Sequence, residues 1–207
     1  GAVLLEAQRA GAVVIGEDLG TVEPWVRDYL RERGILGTSI LWFEKDEGGW
    51  PLHPSAYRRE CLAAVNTHDL PPTAGYLAGI QTTLRDELGL LVEDVESVRA
   101  KDRLELEQVT ARLREYGLVE AATPTERELV EALHAYVAKA PSQLVVASLV
   151  DAVGDRRPQN LPGTYKQYPN WRVPLCDGDG VEVLIDSLPA NERLNSLFAV
   201  MTGAMRG

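Results

Sequence analysis

The sequence has 207 residues, 45% of them hydrophobic and 25% charged, which is the composition of a soluble globular protein with enough chain for one real core. Its 31 acidic residues outnumber 21 lysines and arginines, and the formal net charge of −10 argues against a surface that neutralises nucleic-acid phosphates. No apolar run reaches the length of a membrane span and no leader pattern opens the sequence, so we expect a cytoplasmic protein.

The first predicted element is a helix over residues 2–10, which Gly11 ends. No initiating methionine precedes this helix, and we therefore expect the chain to begin inside a larger protein. Residues 12–16 (AVVIG) follow as a short β-branched run, which is typical of a strand that is buried on both faces.

A second helix is predicted next. Thr21 can cap it, Pro24 suits its first turn and Gly34 ends it. A second strand is then predicted over Thr38–Phe43, and residues 53–60 form a shorter connection that has some helical character.

The third predicted strand is Cys61–Val65, after which Pro71 and Pro72 open another helix. Residues 73–140 change to long, charged amphipathic helices, which we interpret as a helical insert. The last predicted strand is Leu144–Val150, and the final helix contains the apolar residues of 194–201. Four strands that alternate with helices indicate an α/β protein with a parallel sheet.

The two cysteines, Cys61 and Cys176, lie far apart and have no CxxC or Cys/His spacing around them. This pattern predicts free thiols in a reducing compartment, with neither a disulfide framework nor a metal site. No cofactor is implied.

Carboxylates follow two of the predicted strands directly. Glu17 and Asp18 come after the first strand, and Asp69 comes after the third. Glycosidic bond cleavage needs a carboxylic acid that protonates the leaving oxygen and an ionised carboxylate that stabilises the transition state. Carboxylates at strand ends also cap helices, however, and Asp18 could serve the helix near Thr21 in that way.

The sequence around these carboxylates resembles a known family. The residues that carry the resemblance are 16–22 (GEDLGTV), 65–71 (VNTHDLP), 160–164 (NLPGT) and 168–172 (YPNWR). In this order they are similar to successive signatures of the amylomaltases, which are 4-α-glucanotransferases that cut and rejoin α-1,4-glucans. The resemblance implies the C-terminal half of a (β/α)8 TIM barrel, about strands five to eight, with a helical insert.

Under this resemblance the chain divides into three parts. Residues 1–72 hold barrel strands five to seven, residues 73–140 form the helical insert, and residues 141–207 hold strand eight, a closing loop and the C-terminal helix.

The resemblance also implies roles for individual residues. Glu17 would be the general acid/base and Asp69 the carboxylate that stabilises the transition state, while maltooligosaccharides and α-1,4-glucans would be the substrates. The implied substrate-binding residues are His68, Asn66, Asn160 and Tyr165. No metal and no cofactor take part.

The family's nucleophile lies upstream in an Arg-x-Asp-type motif, and the residues before Glu17 offer only Glu6, inside a helix. A retaining mechanism needs the nucleophile and the acid/base about 5–5.5 Å apart. We therefore expect the isolated chain to have little transferase activity, and we expect its main partner to be the N-terminal half of the parent enzyme.

Two other interpretations remain open. One is a carbohydrate-binding or interaction module without catalysis, which would bind maltooligosaccharides even after Glu17→Gln. The other is a different retaining α-glucan enzyme, such as a hydrolase or a branching enzyme; residues 160–164 and Trp171 argue against it, since they resemble amylomaltases.

Aromatic side chains are candidates for stacking on sugar rings. They are Trp42, Trp50, Tyr76, Tyr165, Tyr168 and Trp171. For each of them a packing role is the commoner one, except that the loop of Tyr165 follows a predicted strand and has better access to the site.

A half barrel would expose two strand edges and the apolar side chains that fill a complete barrel. Such a surface rarely stays bare. We expect the chain either to self-associate or to cover the open side with its helical insert.

Overall fold

The computed structural model describes residues 1–206 and contains a three-stranded parallel sheet. The strands are β1 (Gly37–Ile40), β2 (Cys61–Ala64) and β3 (Leu144–Val146), and they lie in the order β1-β2-β3. In their register Thr38 pairs with Leu62, and Leu62 pairs with Leu144. The predicted α/β class with a parallel sheet is therefore confirmed, and all three strands end at the same edge of the sheet.

Helices make up most of the regular structure in residues 1–206. They are α1 (Ala2–Ala10), α2 (Pro24–Arg31), α3 (Thr73–Leu77), α4 (Ile80–Glu87), α5 (Val95–Glu115), α6 (Glu126–Ala138), α7 (Leu149–Val153) and α8 (Glu192–Arg206), with short 3-10 helices at Pro54–Ala56 and Ile185–Ala190. Gly11 ends α1 with a φ of 62°, as predicted, because the left-handed conformation suits glycine.

The strand predicted over residues 12–16 is wrong. This segment makes an isolated parallel bridge, Ile15 to Leu36, instead of a ladder. Val13 and Ile15 are 65% and 41% exposed, so the segment is not buried on both faces. A β-branched run predicts extended backbone, but a buried strand also needs neighbours on both sides.

The last predicted strand, Leu144–Val150, ends early at Val146. Leu149–Val153 forms α7 instead, and Gly154 closes that helix with a φ of 83°. Short apolar runs fit a buried helix as well as a strand, and here the left-handed glycine determines which one forms.

Two further boundaries differ from prediction. β1 ends at Ile40, not at Phe43, because the chain turns there and the Phe43 N–H donates to the carbonyl of Ile40. The N-cap of α2 is Glu23, so Thr21 does not cap this helix, although Pro24 does occupy its first turn as predicted.

The main core lies between the sheet and helices α5 and α6. Ala63 and Val65 contribute from β2 and its end, and Leu113 and Leu133 contribute from the two helices; all four are 1% exposed or less. A fully buried leucine contributes about 2 kcal/mol relative to an exposed one. The helices within residues 73–138 therefore form part of the same packed body as the sheet.

A second core joins α8 to the rest of the chain. Leu197 and Met201 pack with Ala138 of α6 and Ala152 of α7. Both cysteines are buried free thiols. None of the helices in residues 1–206 is long and apolar enough to cross a bilayer.

Candidate active site

Glu17 lies on an exposed segment beside β1. The N–H of the preceding Gly16 donates to the carbonyl of Leu36 over 2.7 Å, and the hydroxyl of Thr38 donates to the carbonyl of Gly16 over 3.2 Å. These bonds hold the backbone before Glu17 parallel to β1 and leave the carboxylate itself free to meet a ligand.

Asp18 points the other way and is only 2% exposed. Its carboxylate accepts a hydrogen bond of 2.8 Å from the N–H of Thr38 and a two-nitrogen contact from the guanidinium of Arg58. Burial alone would raise the pKa of Asp18, but the bonds from Arg58 and Thr38 outweigh it and hold that pKa below its ordinary value. Asp18 therefore does not cap α2, the alternative role that its place after a predicted strand left open; this carboxylate connects the Glu17 segment to β1.

Asp69 lies in the loop after β2 and meets two other predicted site residues, His68 of the same loop and Asn160 of the segment after α7. The side-chain amide of Asn160 donates to Oδ1 of Asp69 over 2.7 Å, and Nε2 of His68 lies 3.6 Å from the same oxygen. His68 and Asp69 have side chains 54% and 50% exposed. The fold therefore brings His68, Asp69 and Asn160 into one exposed cluster, which we call the Asp69 cluster.

Asn66 faces into the protein instead. It is 7% exposed, and its side-chain amide donates to Oδ2 of Asp151 over 2.8 Å. The same carboxylate accepts bonds of 2.6 and 2.8 Å from the N–H and the hydroxyl of Thr73. Asp151 thus clamps both ends of the loop that carries Asp69, because Asn66 precedes that loop and Thr73 follows it.

His134 of α6 backs this clamp and is 1% exposed. Its Nδ1 donates to the carbonyl of Val130, and its Nε2 approaches Oδ2 of Asp151 to 3.4 Å without the alignment of a hydrogen bond. His134 is thus a packed side chain of the protein interior. His134 therefore connects α6, by way of Asp151, to the loop that carries Asp69.

Tyr165 stands apart from the cluster. It is 80% exposed, and its backbone N–H donates to the side chain of Gln167. The loop that carries Tyr165 follows helix α7, not a strand as predicted. Trp171, from the end of the same loop, lies beside the Asp69 cluster: its ring centroid is 5.2 Å from that of His68.

The other aromatic candidates have packing partners. The rings of Trp42 and Tyr76 pack against each other with centroids 4.4 Å apart and planes tilted by 51°, and the Tyr168 hydroxyl donates to the carbonyl of Pro158 over 2.7 Å. The guanidinium of Arg112 lies 5.8 Å from the ring centroid of Trp50. The packing role that is commoner for such residues fits these positions.

Glu17 and Asp69 follow parallel segments that lie on opposite sides of β1, and both come at the same edge of the sheet. In residues 1–206 no hydrogen bond or ion pair joins the two carboxylates. A cavity of about 550 Å³ adjoins the Glu17 segment and is lined by Asp18, Thr38, Phe43 and Arg58 among others. An apolar cavity of about 540 Å³ between α4 and the 157–174 segment is lined by the stacking candidate Tyr168 but by none of the implied catalytic or substrate-binding residues.

Sequence reasoning missed three residues that hold this arrangement, namely Asp151, Thr73 and Arg58. Asp151 offered a signal, since it is the one charged residue in the mainly apolar run 144–153. A charge in such a run is expected to have a buried partner. Arg58 and Thr73 offered none. Within residues 1–206 no group of acidic, histidine or cysteine side chains is placed to hold a metal ion.

Comparison with known proteins identifies relatives over nearly the whole chain. The family model described as 4-alpha-glucanotransferase matches residues 1–177. The 4-alpha-glucanotransferase of Mycobacterium bovis is 53% identical over 209 aligned residues, which cover 99% of this chain and 29% of that protein. This chain therefore spans less than a third of the length of that curated relative.

Solved structures agree with this relationship. The crystal structure of amylomaltase from Corynebacterium glutamicum matches 97% of this chain, and 30% of that one, with a TM-score of 0.87 and 48% identity. The amylomaltase from Streptococcus agalactiae in complex with acarbose matches 97% of this chain and 34% of that one, with a TM-score of 0.61. At 19% identity the second match supports the fold alone.

Proposed function

This chain belongs to the 4-alpha-glucanotransferase family, and on that premise we propose that it supplies part of an active site that transfers α-1,4-glucan segments between maltooligosaccharides. The observation that carries the proposal is the Asp69 cluster, in which Asn160 holds an exposed carboxylate beside His68. A carboxylate with one oxygen fixed and one face open is suited to a cationic sugar transition state.

The proposed roles are those that the resemblance to amylomaltases implies: Glu17 serves as the general acid/base and Asp69 stabilises the oxocarbenium-like transition state. The exposure of both carboxylates is compatible with these roles. His68 and Asn160 bind sugar hydroxyls and orient Asp69. Tyr165 is free to reach a longer glucan, whereas Asn66 acts on the loop through Asp151.

The reaction is a double displacement with net retention. Glu17 protonates the departing glucan while a nucleophile from outside residues 1–206 forms the glycosyl-enzyme, and Glu17 then takes a proton from the incoming sugar hydroxyl. Since no Arg-x-Asp-type motif precedes Glu17, the 207-residue chain alone transfers glucan slowly or not at all.

The architecture behind this proposal is a half barrel. In the proposed complete barrel, β1–β3 correspond to about strands six to eight, and residues 12–16, which make a single parallel bridge beside β1 in this chain, take the place of about strand five. Residues 73–140 are the proposed insert. Exposed apolar residues at both ends of the sheet, Val13 and Ile15 on one side and Val146 on the other, support a covering partner. That partner is the upstream part of a longer enzyme or a second copy of this chain. A cytoplasmic location fits the free thiols of Cys61 and Cys176.

The test is to measure glucose release and oligosaccharide redistribution from maltotriose. One sample contains this chain alone, and another contains this chain with the upstream part of a longer relative. Activity in the mixture alone is the expected result. Absence of activity in both, together with maltooligosaccharide binding that survives Glu17→Gln, would favour a binding module without catalysis.

A further inference from the structure

Trp171 has an unusual backbone. Among the non-glycine residues of 1–206, it alone has a positive φ, of 61°. This left-handed conformation is unfavourable for a bulky side chain, because Cβ comes too close to the following carbonyl oxygen. Residues kept in such a conformation are concentrated at ligand sites, where the surrounding structure holds them.

Hydrogen bonds around the residue keep it there. The N–H of Trp171 donates to the carbonyl of Gln159 over 2.9 Å. The side chain of Asn170 accepts from the N–H of Leu161 over 2.8 Å and donates to the hydroxyl of Thr164 over 2.8 Å. Leu161 is fully buried, so these bonds connect the turn to a fixed part of the loop. The backbone therefore cannot relax without losing several bonds at once.

The strained turn places the indole beside the Asp69 cluster. Its centroid lies 5.2 Å from that of His68, with the ring planes at 51°, and Trp171 remains 63% exposed. A tryptophan with so much surface in water contributes little core packing. Tryptophan in the left-handed region costs stability, and burial of its ring does not offset that cost in this structure.

We propose that Trp171 is a sugar-stacking residue whose indole face packs on a glucose unit of an α-1,4-glucan held at the Asp69 cluster. The proposal rests on the function proposed above and adds a residue to it. One apolar wall next to a few convergent polar groups is the usual composition of a small-ligand site, and His68, Asp69 and Asn160 supply the polar groups. Trp42 and Tyr76 are less suited to this role as placed, because both are partly buried and their rings pack against each other with centroids 4.4 Å apart.

The test uses three substitutions in the 207-residue chain. Trp171→Gly removes both the ring and the strain, Trp171→Ala removes the ring and keeps the strain, and Trp171→Phe keeps an aromatic ring. Trp25→Ala is the matched control, because Trp25 is 64% exposed and lies on α2 against Tyr29. Maltoheptaose binding is measured by titration calorimetry, and Tm by thermal unfolding.

We expect Trp171→Gly and Trp171→Ala each to weaken maltoheptaose binding about tenfold, the size of one aromatic contact, while Trp171→Phe and Trp25→Ala stay within about threefold. Trp171→Gly should also melt at a higher temperature than Trp171→Ala, because glycine adopts the left-handed backbone without strain.

The outcomes separate the two proposals. Equal binding by the unsubstituted chain and by Trp171→Gly overturns the role of Trp171 and leaves the Asp69 cluster intact. Maltoheptaose binding that is lost in Asp69→Asn but unchanged in the Trp171 variants likewise overturns the role of Trp171 and leaves the Asp69 cluster intact. No binding by the unsubstituted chain counts against both proposals.

Discussion

The side-chain amide of Asn66 donates a hydrogen bond of 2.8 Å to Oδ2 of Asp151, 85 positions further along the chain. Asp151 follows β3 in α7, and Asn66 follows β2 just before His68 and Asp69. Since Asp151 also accepts two bonds from Thr73, one buried carboxylate determines where the loop with Asp69 begins and ends.

Asp151→Ala should lower the free energy of unfolding by about 3–5 kcal/mol, because it leaves several buried donors without an acceptor. Urea unfolding followed by circular dichroism measures this. The control is Asp86→Ala, since Asp86 is exposed on α4 and should change the same quantity by less than about 0.5 kcal/mol. Similar values for the two variants would contradict the clamp.

Asp18→Asn should change how the free energy of unfolding depends on pH. The pKa of Asp18 is lowered in the folded state, so its contribution is complete above the unfolded value of about 4 and is lost as pH falls through the folded value. Unfolding free energies between about pH 6 and pH 3 should fall less steeply for Asp18→Asn than for the unsubstituted chain. At neutral pH the variant should be less stable by about 2 kcal/mol. Parallel pH profiles would argue against the Asp18–Arg58 pair as described.

Gly75→Ala should destabilise the protein by about 1–3 kcal/mol. A Cβ at Gly75 would lie 2.1 Å from the carbonyl oxygen of Arg156, which is backbone and cannot easily move away. Gly203→Ala is the control, since a Cβ at that position in α8 meets nothing within 4 Å and should add about 0.5–1 kcal/mol through helix propensity. Thermal unfolding of both variants tests the contrast, and an equally stable Gly75→Ala would mean that α3 is free to shift.

Self-association should depend on the exposed apolar residues at the two edges of the sheet. Val13 and Val146 are 65% and 41% exposed, and we expect the chain alone to scatter light as a dimer or a larger species. Val13→Lys with Val146→Lys should shift it towards the monomer. Val92→Lys is the control, because Val92 is fully exposed between α4 and α5. A monomeric unsubstituted chain would show that these edges need no partner.

Transfer activity in the mixture with an upstream segment should depend on both proposed carboxylates. Glu17→Gln and Asp69→Asn should each reduce maltotriose disproportionation by at least about a hundredfold, the usual loss when an acid/base or a charge stabiliser is removed. Glu23→Gln should leave the rate unchanged, because Glu23 is exposed and its side chain makes no capping bond to α2. An active mixture that tolerates Glu17→Gln would remove Glu17 from the mechanism.

Much of the chain could be predicted because the relevant signals are local. Gly11 ends α1 where its freedom of φ is needed, and the apolar run at Cys61–Ala64 forms a strand. The grouping of His68 with Asp69 follows from their adjacency in the sequence. Family membership was carried by short motifs that the comparisons then confirmed.

Only the tertiary structure decided which residues that are far apart in the sequence pair with each other. Asp18 sits at a strand end in the sequence, but Arg58, 40 positions away, determines that it anchors the backbone and does not cap α2. The resemblance implies that Asn66 binds substrate, but in the fold its side-chain amide donates to Asp151. The conformation of Trp171 likewise depends on bonds to residues 159–164. The sequence by itself determined most of the helices, the middle strand and the identity of the reactive side chains, since propensity and spacing are local. The ends of the outer strands and the direction of each side chain were decided by partners that only folding brings within hydrogen-bond distance.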